Sequence, residues 1–161
     1  MRFLLAMTLL ALAGCTSLPE PLQLEQETNL VSYQQVSANP EGTTGQSVRW
    51  GGVIAGVSNK KKYTVIEMLY YPLKTSGKPY IADDSPGRFR VQIEGFLDPM
   101  VYKSGRTLTV VGEAVGVETG TVGEHEYQFP LIKALGYYMW KNEQQVDITS
   151  LDGGYGYYPY G

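Results

Sequence analysis

The pattern that most constrains the fold is a series of short β-branched and aromatic segments between residues 48 and 134, separated by Gly, Pro, Asn and Asp. Such segments, bounded by turn-forming residues, are typical of an antiparallel all-β domain. They predict five strands, at residues 48–57, 63–73, 88–94, 107–117 and 124–131. The first two strands would be joined at Asn59 and the lysines that follow it.

The third predicted strand shows the clearest alternation of apolar and polar residues. Its apolar face carries Phe89, Val91 and Ile93, and its polar face carries Arg88, Arg90, Gln92 and Glu94. Because successive side chains of a strand point to opposite faces, one face is expected to be buried and the other to meet water.

A short helix is predicted between the third and fourth strands. Asp98 can cap it, Pro99 suits its first position, and Gly105 can end it after residues 100–104. Three strands, a helix and two strands follow the order of an OB-fold. We therefore predict a small, closed or partly open antiparallel barrel of OB-fold type. A lipocalin-like barrel needs about eight strands and is the weaker alternative.

The N-terminus has the pattern of an export signal. Arg2 precedes an apolar run over residues 3–12, which is too short to cross a bilayer as a mature helix. Leu12-Ala13-Gly14-Cys15 resembles the bacterial lipobox, which implies cleavage after Gly14 and acylation of Cys15. Three acyl chains would anchor the protein stably, since two already suffice. An ordinary secretory signal with a chance cysteine is the alternative.

The resemblance to lipoproteins also implies a destination. An Asp after the acylated cysteine resembles an inner-membrane retention signal, whereas this chain has Thr16. We therefore expect the protein in the outer membrane, with its domain on the periplasmic face.

The predicted organisation has four parts: a signal peptide (1–14), an acylated tether (15–45), the β-barrel domain (46–141) and a Tyr/Gly-rich tail (142–161). The tether contains Pro19, Pro21 and Pro40 and would span roughly 30 Å as a flexible coil. As an alternative, the apolar residues between Leu30 and Val36 could form a short strand or helix against the barrel. The tail is too rich in glycine to pack alone.

Composition excludes several classes of function. The formal net charge is −3, so nucleic acid is an unsuitable partner. The basic run Lys60-Lys61-Lys62 is interpreted as a solvated hairpin tip, with weak attraction to anionic lipid as the alternative. One cysteine and one histidine are too few for a zinc site built on those ligands. Neither a P-loop nor a dinucleotide fingerprint is present, and no cofactor or metal is expected.

Several segments resemble, in order and spacing, the Slp family of outer-membrane lipoproteins. The main ones are Val48-Arg49-Trp50-Gly51-Gly52-Val53-Ile54, Gly95-Phe96-Leu97-Asp98-Pro99 and Gly105-Arg106-Thr107-Leu108-Thr109-Val110-Val111-Gly112. Residues 64–73, 87–89 and 123–127 add to the likeness, which extends from about Gln46 to Trp140. The resemblance implies a lipobox and a link to starvation and stationary-phase physiology of the envelope. It supplies no catalytic residue.

The chain contains 13 tyrosines, an excess that favours a ligand-binding function. The candidate ligand-binding residues are Trp50, Tyr70, Tyr71, Tyr137 and Tyr138. The tyrosines could stack on sugars or other ring-bearing ligands, and the glycines beside Trp50 would let a ligand approach closely. The competing interpretation is structural, because tyrosine favours strands and a tryptophan beside Gly51 and Gly52 suits a strand bend.

The polar candidates also have structural interpretations. His125 shares a predicted face with Tyr127 and Phe129, which favours a hydrogen-bonded core residue. Glu124 and Glu126 would face the other way and could pair with Arg88 or Arg90. Asp83 and Asp84 precede a Ser-Pro-Gly turn, which offers too few oxygen ligands for calcium.

Two hypotheses about function follow. The preferred one is a non-enzymatic envelope lipoprotein that binds a protein or cell-wall glycan and supports the outer membrane under stress. The alternative is an enzyme acting on envelope glycan or lipid, with Asp83, Asp84 or Asp98 as acid and base. Glycoside hydrolysis would require two carboxyl groups about 5 to 9.5 Å apart.

Overall fold

The computed structural model describes residues 18–24 and 29–142. Gly14 and Cys15, the signal peptide and residues 143–161 of the predicted tail therefore lie outside the described residues. Among the described residues, no helix is both long and apolar enough to span a bilayer.

Five strands form the domain: β1 (Ser47–Asn59), β2 (Tyr63–Tyr71), β3 (Arg88–Glu94), β4 (Thr107–Val122) and β5 (His125–Met139). They close into a barrel in the order β1-β2-β3-β5-β4. This confirms the predicted small all-β barrel of OB-fold type. Four of the five strand contacts are antiparallel, and the contact between β3 and β5 is parallel because β4 reverses the chain between them.

The alternation predicted for β3 is observed, since Phe89, Val91 and Ile93 are all buried in the core. Strand β4 shifts register against β5 at Val111/Gly112 and at Ala114/Gly116, as expected for a strongly bent strand. A side chain at Gly112 would collide with the backbone of Lys133, so the glycine permits the close approach of two strands. Both β4 and β5 extend beyond their predicted C-terminal ends.

The predicted helix over residues 100–104 is wrong, because this segment forms a single hydrogen-bonded turn. The carbonyl oxygen of Asp98 accepts from the backbone N–H groups of Val101 and Tyr102, and its carboxylate caps the N–H of Met100. Gly105 has a φ of 87° and donates its N–H to Ile54, which directs the chain into pairing with β1 after one turn.

Much of the segment predicted as a tether packs on the barrel. Residues Glu20–Leu22 form a 3₁₀ helix, followed by α1 (Tyr33–Ala38) and α2 (Pro40–Thr43). Ser32 begins α1 with a capping box that includes Gln35. Tyr33 and Val36 join the core. The short-helix alternative for this apolar stretch is therefore the one observed.

Gly52 explains why two glycines follow Trp50. A Cβ at Gly52 would collide with the backbone oxygen of Leu69 on β2, so the adjacent strand occupies the space that a side chain would need. At Gly51, a Cβ would lie 2.7 Å from the ring of Pro79 and 2.8 Å from Leu73, both in the connection between β2 and β3. The glycine pair thus serves the packing of the barrel and its outer cover.

Candidate functional site

Trp50 and Tyr70, two of the predicted ligand-binding residues, belong to an aromatic cluster inside the barrel. Trp50 is 2% exposed and donates its indole N–H to the carbonyl oxygen of Val31 at 3.0 Å. Tyr33 stacks on Tyr70 with ring centroids 4.4 Å apart, and Phe89 meets Trp50 edge-to-face at 5.4 Å. Helix α1 covers these rings, so Trp50 offers no ring face to a ligand.

The phenols of this cluster are held in their neutral form. Burial raises the pKa of Tyr33 far above its usual range, and the adjacent hydroxyl of Tyr127 raises it further. Burial also raises the pKa of Tyr70. The Tyr33 hydroxyl donates to the carbonyl oxygen of Arg88 at 3.2 Å, which joins α1 to the start of β3.

The other three predicted aromatics lie on two sides of the sheet. Tyr137 packs against the core and meets Tyr102 edge-to-face at 6.1 Å. Tyr138 meets Trp140 at 4.8 Å, and Trp140 donates its indole N–H to the hydroxyl of Thr109. Tyr71 is buried. The structure thus distributes the five predicted residues over separate packing clusters.

A charged groove lies on the outer face of the sheet and is the best candidate for a binding site. It has a volume of about 320 Å³ and is lined by residues of β1, β2, β3 and β4 and of the turn after β1. We define this charged groove by the residues that line it: Gly56, Val57, Ser58, Lys60, Val65, Glu67, Arg90 and Glu118. The lining combines the aliphatic side chain of Val65 with groups of both charges.

The centre of the charged groove is a network of ion pairs. Glu67 accepts from Arg88 at 2.8 Å and from Arg90 at 3.3 Å, and Arg90 also pairs with Glu118 at 3.4 Å. The cross-strand register explains the first pairs, because Glu67 lies opposite Arg90 in the contact between β2 and β3. The guanidinium of Arg90 lies 3.9 Å from the ring centroid of Phe129, which further fixes its position.

Sequence reasoning placed Arg88 and Arg90 correctly on the polar face but did not identify their partners. The partners are Glu67 and Glu118, not Glu124 or Glu126. Glu67 was identifiable, since it lies between the apolar Ile66 and Met68 and must face outward in a strand whose inner face they form. Glu118 was not identifiable from the sequence, because its approach to Arg90 depends on the bend of β4.

Of the remaining polar candidates, His125 stands apart from this groove, whereas Lys60 belongs to its lining. His125 is exposed at the first position of β5, so the expectation of a core histidine is wrong. The reason is that β4 and β5 continue as a hairpin past the barrel wall, which leaves the tip at Gly123 in solvent. Lys60, Lys61 and Lys62 are exposed between β1 and β2, as predicted for a hairpin tip.

Asp98 does not join Asp83 and Asp84, the other carboxylates of the enzyme alternative. Asp83 and Asp84 precede β3, whereas Asp98 follows it. Seven residues of strand separate the two connections by about 20 Å, which exceeds the spacing of a glycosidase pair. Within the residues the structure describes, no group of three or more His, Cys, Asp or Glu side chains could hold a metal ion.

Comparison with known proteins matches residues 12–161 to the model of the outer membrane lipoprotein Slp family. The chain belongs to the Slp family. The match is wider than the resemblance seen in the sequence between residues 46 and 140, since it includes the Leu12–Cys15 segment and the C-terminal tail. Family membership supports the assignment of this protein as an outer-membrane lipoprotein.

Two relatives of this Slp family member come from Escherichia coli K12. The chain is 32% identical over 137 residues to an uncharacterized lipoprotein, YeaY, covering 85% of this chain and 70% of that protein. It is 30% identical over 147 residues to the outer membrane protein Slp, covering 91% and 78%. A protein of Haemophilus influenzae is 33% identical over 142 residues, covering 88% and 76%.

Proposed function

We propose that this Slp family member is cleaved after Gly14, acylated on Cys15 and held in the outer membrane with its barrel in the periplasm. The family match begins at residue 12, so it includes the whole Leu12-Ala13-Gly14-Cys15 motif. Three acyl chains on Cys15 would supply a stable anchor. A role under envelope stress is part of the proposal and rests on the family resemblance alone.

The proposed activity of the barrel is non-catalytic binding of cell-wall glycan in the charged groove. The observation that carries this proposal is the lining, in which Val65 lies opposite Ser58 on the outer face and is accompanied by the hydrogen-bonding groups of Lys60 and Arg90. A sugar ring has an apolar face and a polar edge and suits such a surface. Gly56 adds open space, because a Cβ there would meet no atom within 4 Å.

The ion pairs favour binding over catalysis. Each oxygen of Glu67 accepts from a different arginine, so the carboxylate is engaged before any substrate arrives. Such a network gives a rigid, preorganised surface, which reduces the entropy cost of binding. An envelope protein is the other occupant considered, and the test below separates it from glycan.

The groove is tested by co-sedimentation of the full-length protein with purified peptidoglycan sacculi. Lys60→Gln combined with Glu118→Gln is expected to reduce the sedimented fraction several-fold. The matched control is Lys133→Gln, which removes a lysine from a second depression of about 320 Å³ on another part of the sheet. Equal sedimentation of all variants would contradict glycan binding, and crosslinking of a groove residue to one envelope protein would favour the other occupant.

The anchor is tested separately by intact mass and membrane fractionation. The native protein is expected to carry three acyl chains on Cys15 and to fractionate with the outer membrane. Cys15→Ser is expected to be unprocessed or released into soluble fractions. An unmodified native protein would contradict the anchor whatever the groove binds.

A further inference from the structure

The first described residues fix the direction from which the chain enters the barrel. Leu22 is fully buried, and its carbonyl oxygen accepts from Arg49 at 3.0 Å. A methyl carbon of Leu18 lies 2.6 Å from the position that a Cβ of Gly77 would occupy, so Leu18 rests directly on the connection between β2 and β3. This connection, residues 72–87, is called the β2–β3 loop below.

The distance from this contact to the proposed lipid anchor is short. Two residues, Thr16 and Ser17, separate Leu18 from Cys15, and the three steps from one Cα atom to the next can span at most about 11 Å when fully extended. This step rests on the proposed acylation of Cys15. While Leu18 and Leu22 remain docked, the barrel cannot stand away from the bilayer on the long tether predicted from sequence, and the β2–β3 loop must lie beside the membrane.

The β2–β3 loop presents an ordered amphipathic surface at that place. Tyr80 is 60% exposed and Ile81 is 48% exposed. The backbone N–H of Tyr80 donates to Pro72, and Leu73 forms an isolated bridge with Pro79, so the exposed side chains project from a folded loop. Tyrosine suits a membrane interface because its ring is apolar and its hydroxyl is polar.

The charges of the loop indicate the kind of membrane contact. Lys74 and Lys78 are matched by Asp83 and Asp84, which leaves residues 72–87 with no net charge. The Lys74 amine lies 5.7 Å from the ring centroid of Tyr80 and can reach lipid phosphate while the ring lies deeper. Contact should therefore depend on the apolar side chains and only weakly on anionic lipid.

We propose that the β2–β3 loop and Leu18 form the surface on which the anchored barrel rests against the bilayer, with Tyr80 and Ile81 entering the lipid interface. The barrel would then have a fixed orientation, with one flank of the sheet against lipid. Phe96 and Met100, which are 72% and 81% exposed in the connection between β3 and β4, would remain in water.

The test uses the full-length acylated protein in vesicles of phosphatidylethanolamine and phosphatidylglycerol. Ile81→Cys and the matched control Phe96→Cys each introduce one free thiol, because the only native cysteine carries the lipid. Each thiol is labelled with a nitroxide, and its accessibility to an aqueous nickel chelate and to oxygen is measured. The label at position 81 is expected to be several-fold less accessible to nickel than the label at 96, consistent with a depth of about 5–10 Å at the interface.

Flotation of the vesicles distinguishes the possible failures. Protein that does not float with the vesicles would overturn the anchor and this inference together. Protein that floats but exposes position 81 to nickel as fully as position 96 would overturn the resting surface alone. Protection at 96 instead of 81 would assign the membrane contact to the opposite connection and would also overturn it.

A second comparison tests the role of the tyrosine without moving the label. Tyr80→Ser in the Ile81→Cys protein is expected to raise nickel accessibility at 81, since one of two interfacial side chains is lost. Met100→Ser in the same protein is the control and should leave accessibility unchanged. Equal values in both variants would contradict a direct contact of Tyr80 with lipid.

Discussion

Two of the three short helices on the N-terminal side of the barrel, the 3₁₀ helix and α1, differ in how they are joined to it. The 3₁₀ helix places Leu22 on the outer surface of the sheet, and α1 places Val36 in the interior, and both side chains are 0% exposed. Residues 29–46 lead directly into β1, and Trp50 donates to Val31 within this segment. We therefore expect the two segments to contribute unequally to the cooperative unit, although the two residues are equally buried.

The contrast has a functional side. Helix α1 completes the core, so its loss should unfold the barrel. The 3₁₀ helix lies close to the proposed anchor and sets how far the barrel stands from the bilayer, so its loss should change the position of the barrel and preserve the fold. The four predictions below test this division.

The largest expected effect on stability is that of Tyr33→Ala, which alters α1, the helix that completes the core. The change removes a ring that stacks on Tyr70 and meets Trp50 edge-to-face at 5.5 Å. We expect the free energy of unfolding to fall by about 3–5 kcal/mol, measured by urea denaturation followed by tryptophan fluorescence. Tyr80→Ala, at an exposed tyrosine, is the control. A loss below about 1 kcal/mol would remove α1 from the cooperative core.

The contribution of the 3₁₀ helix on the outer surface is tested by Leu22→Ala. We expect a local loss of about 2 kcal/mol in the docking of residues 18–24, with little shift in the urea midpoint of the barrel. Hydrogen exchange should accelerate in residues 18–24 and remain slow in β1 to β5. A midpoint shift as large as that of Tyr33→Ala would mean that both coverings belong to one cooperative unit.

The barrel was predictable from sequence because each strand carries its own signal. Alternation in β3 and the turns that bound β1 and β2 are local, and they suffice to suggest the element order. The docking of residues 18–24 was not predictable, since a segment with Pro19 and Pro21 has no period and its site on the barrel is created by Gly77 and Gly136, far along the chain. Where a short polar segment binds depends on tertiary contacts that no local pattern encodes.

The residues of the candidate site also differ in whether a local sequence pattern or a tertiary contact determines their role. Sequence identified Arg88 and Arg90 on the polar face, which is a property of one strand. It selected Trp50 as a ligand residue because a tryptophan beside glycines suits both a pocket and a core. Only the position of α1 over its ring decides between the two, and that position depends on Val31 and Tyr33.

A smaller effect on the stability of the core is expected from the hydroxyl of Tyr33. Burial and the hydroxyl of Tyr127 raise the pKa of this phenol in the folded protein. The neutral phenol therefore contributes fully to the free energy of unfolding below pH about 10, the ordinary pKa of tyrosine, and this contribution is lost as the pH rises further. Tyr33→Phe should cost about 1 kcal/mol at neutral pH through the lost bond to Arg88.

The same variant should also be less sensitive to alkali than the native protein. Urea midpoints measured at pH about 8 and about 11 test this, with the exposed Tyr80→Phe as the control. Residual sensitivity is expected from Tyr70, whose pKa is also raised by burial. An alkaline loss identical to that of the native protein would show that Tyr33 is not the group responsible.

The smallest effect expected is that of Arg49→Lys, which weakens the hydrogen bond to the Leu22 carbonyl. Lysine keeps the charge but loses the directed guanidinium N–H, so residues 18–24 should lose about 0.5–1 kcal/mol of docking free energy. Hydrogen exchange in residues 18–24 measures this loss. A sharper test combines Arg49→Lys with Leu22→Ala. If Leu22→Ala has already released residues 18–24 from the barrel, Arg49 can no longer stabilise their docking. The double variant should therefore exchange no faster in residues 18–24 than Leu22→Ala alone, and a further acceleration would show that these residues still dock through Arg49 after Leu22→Ala.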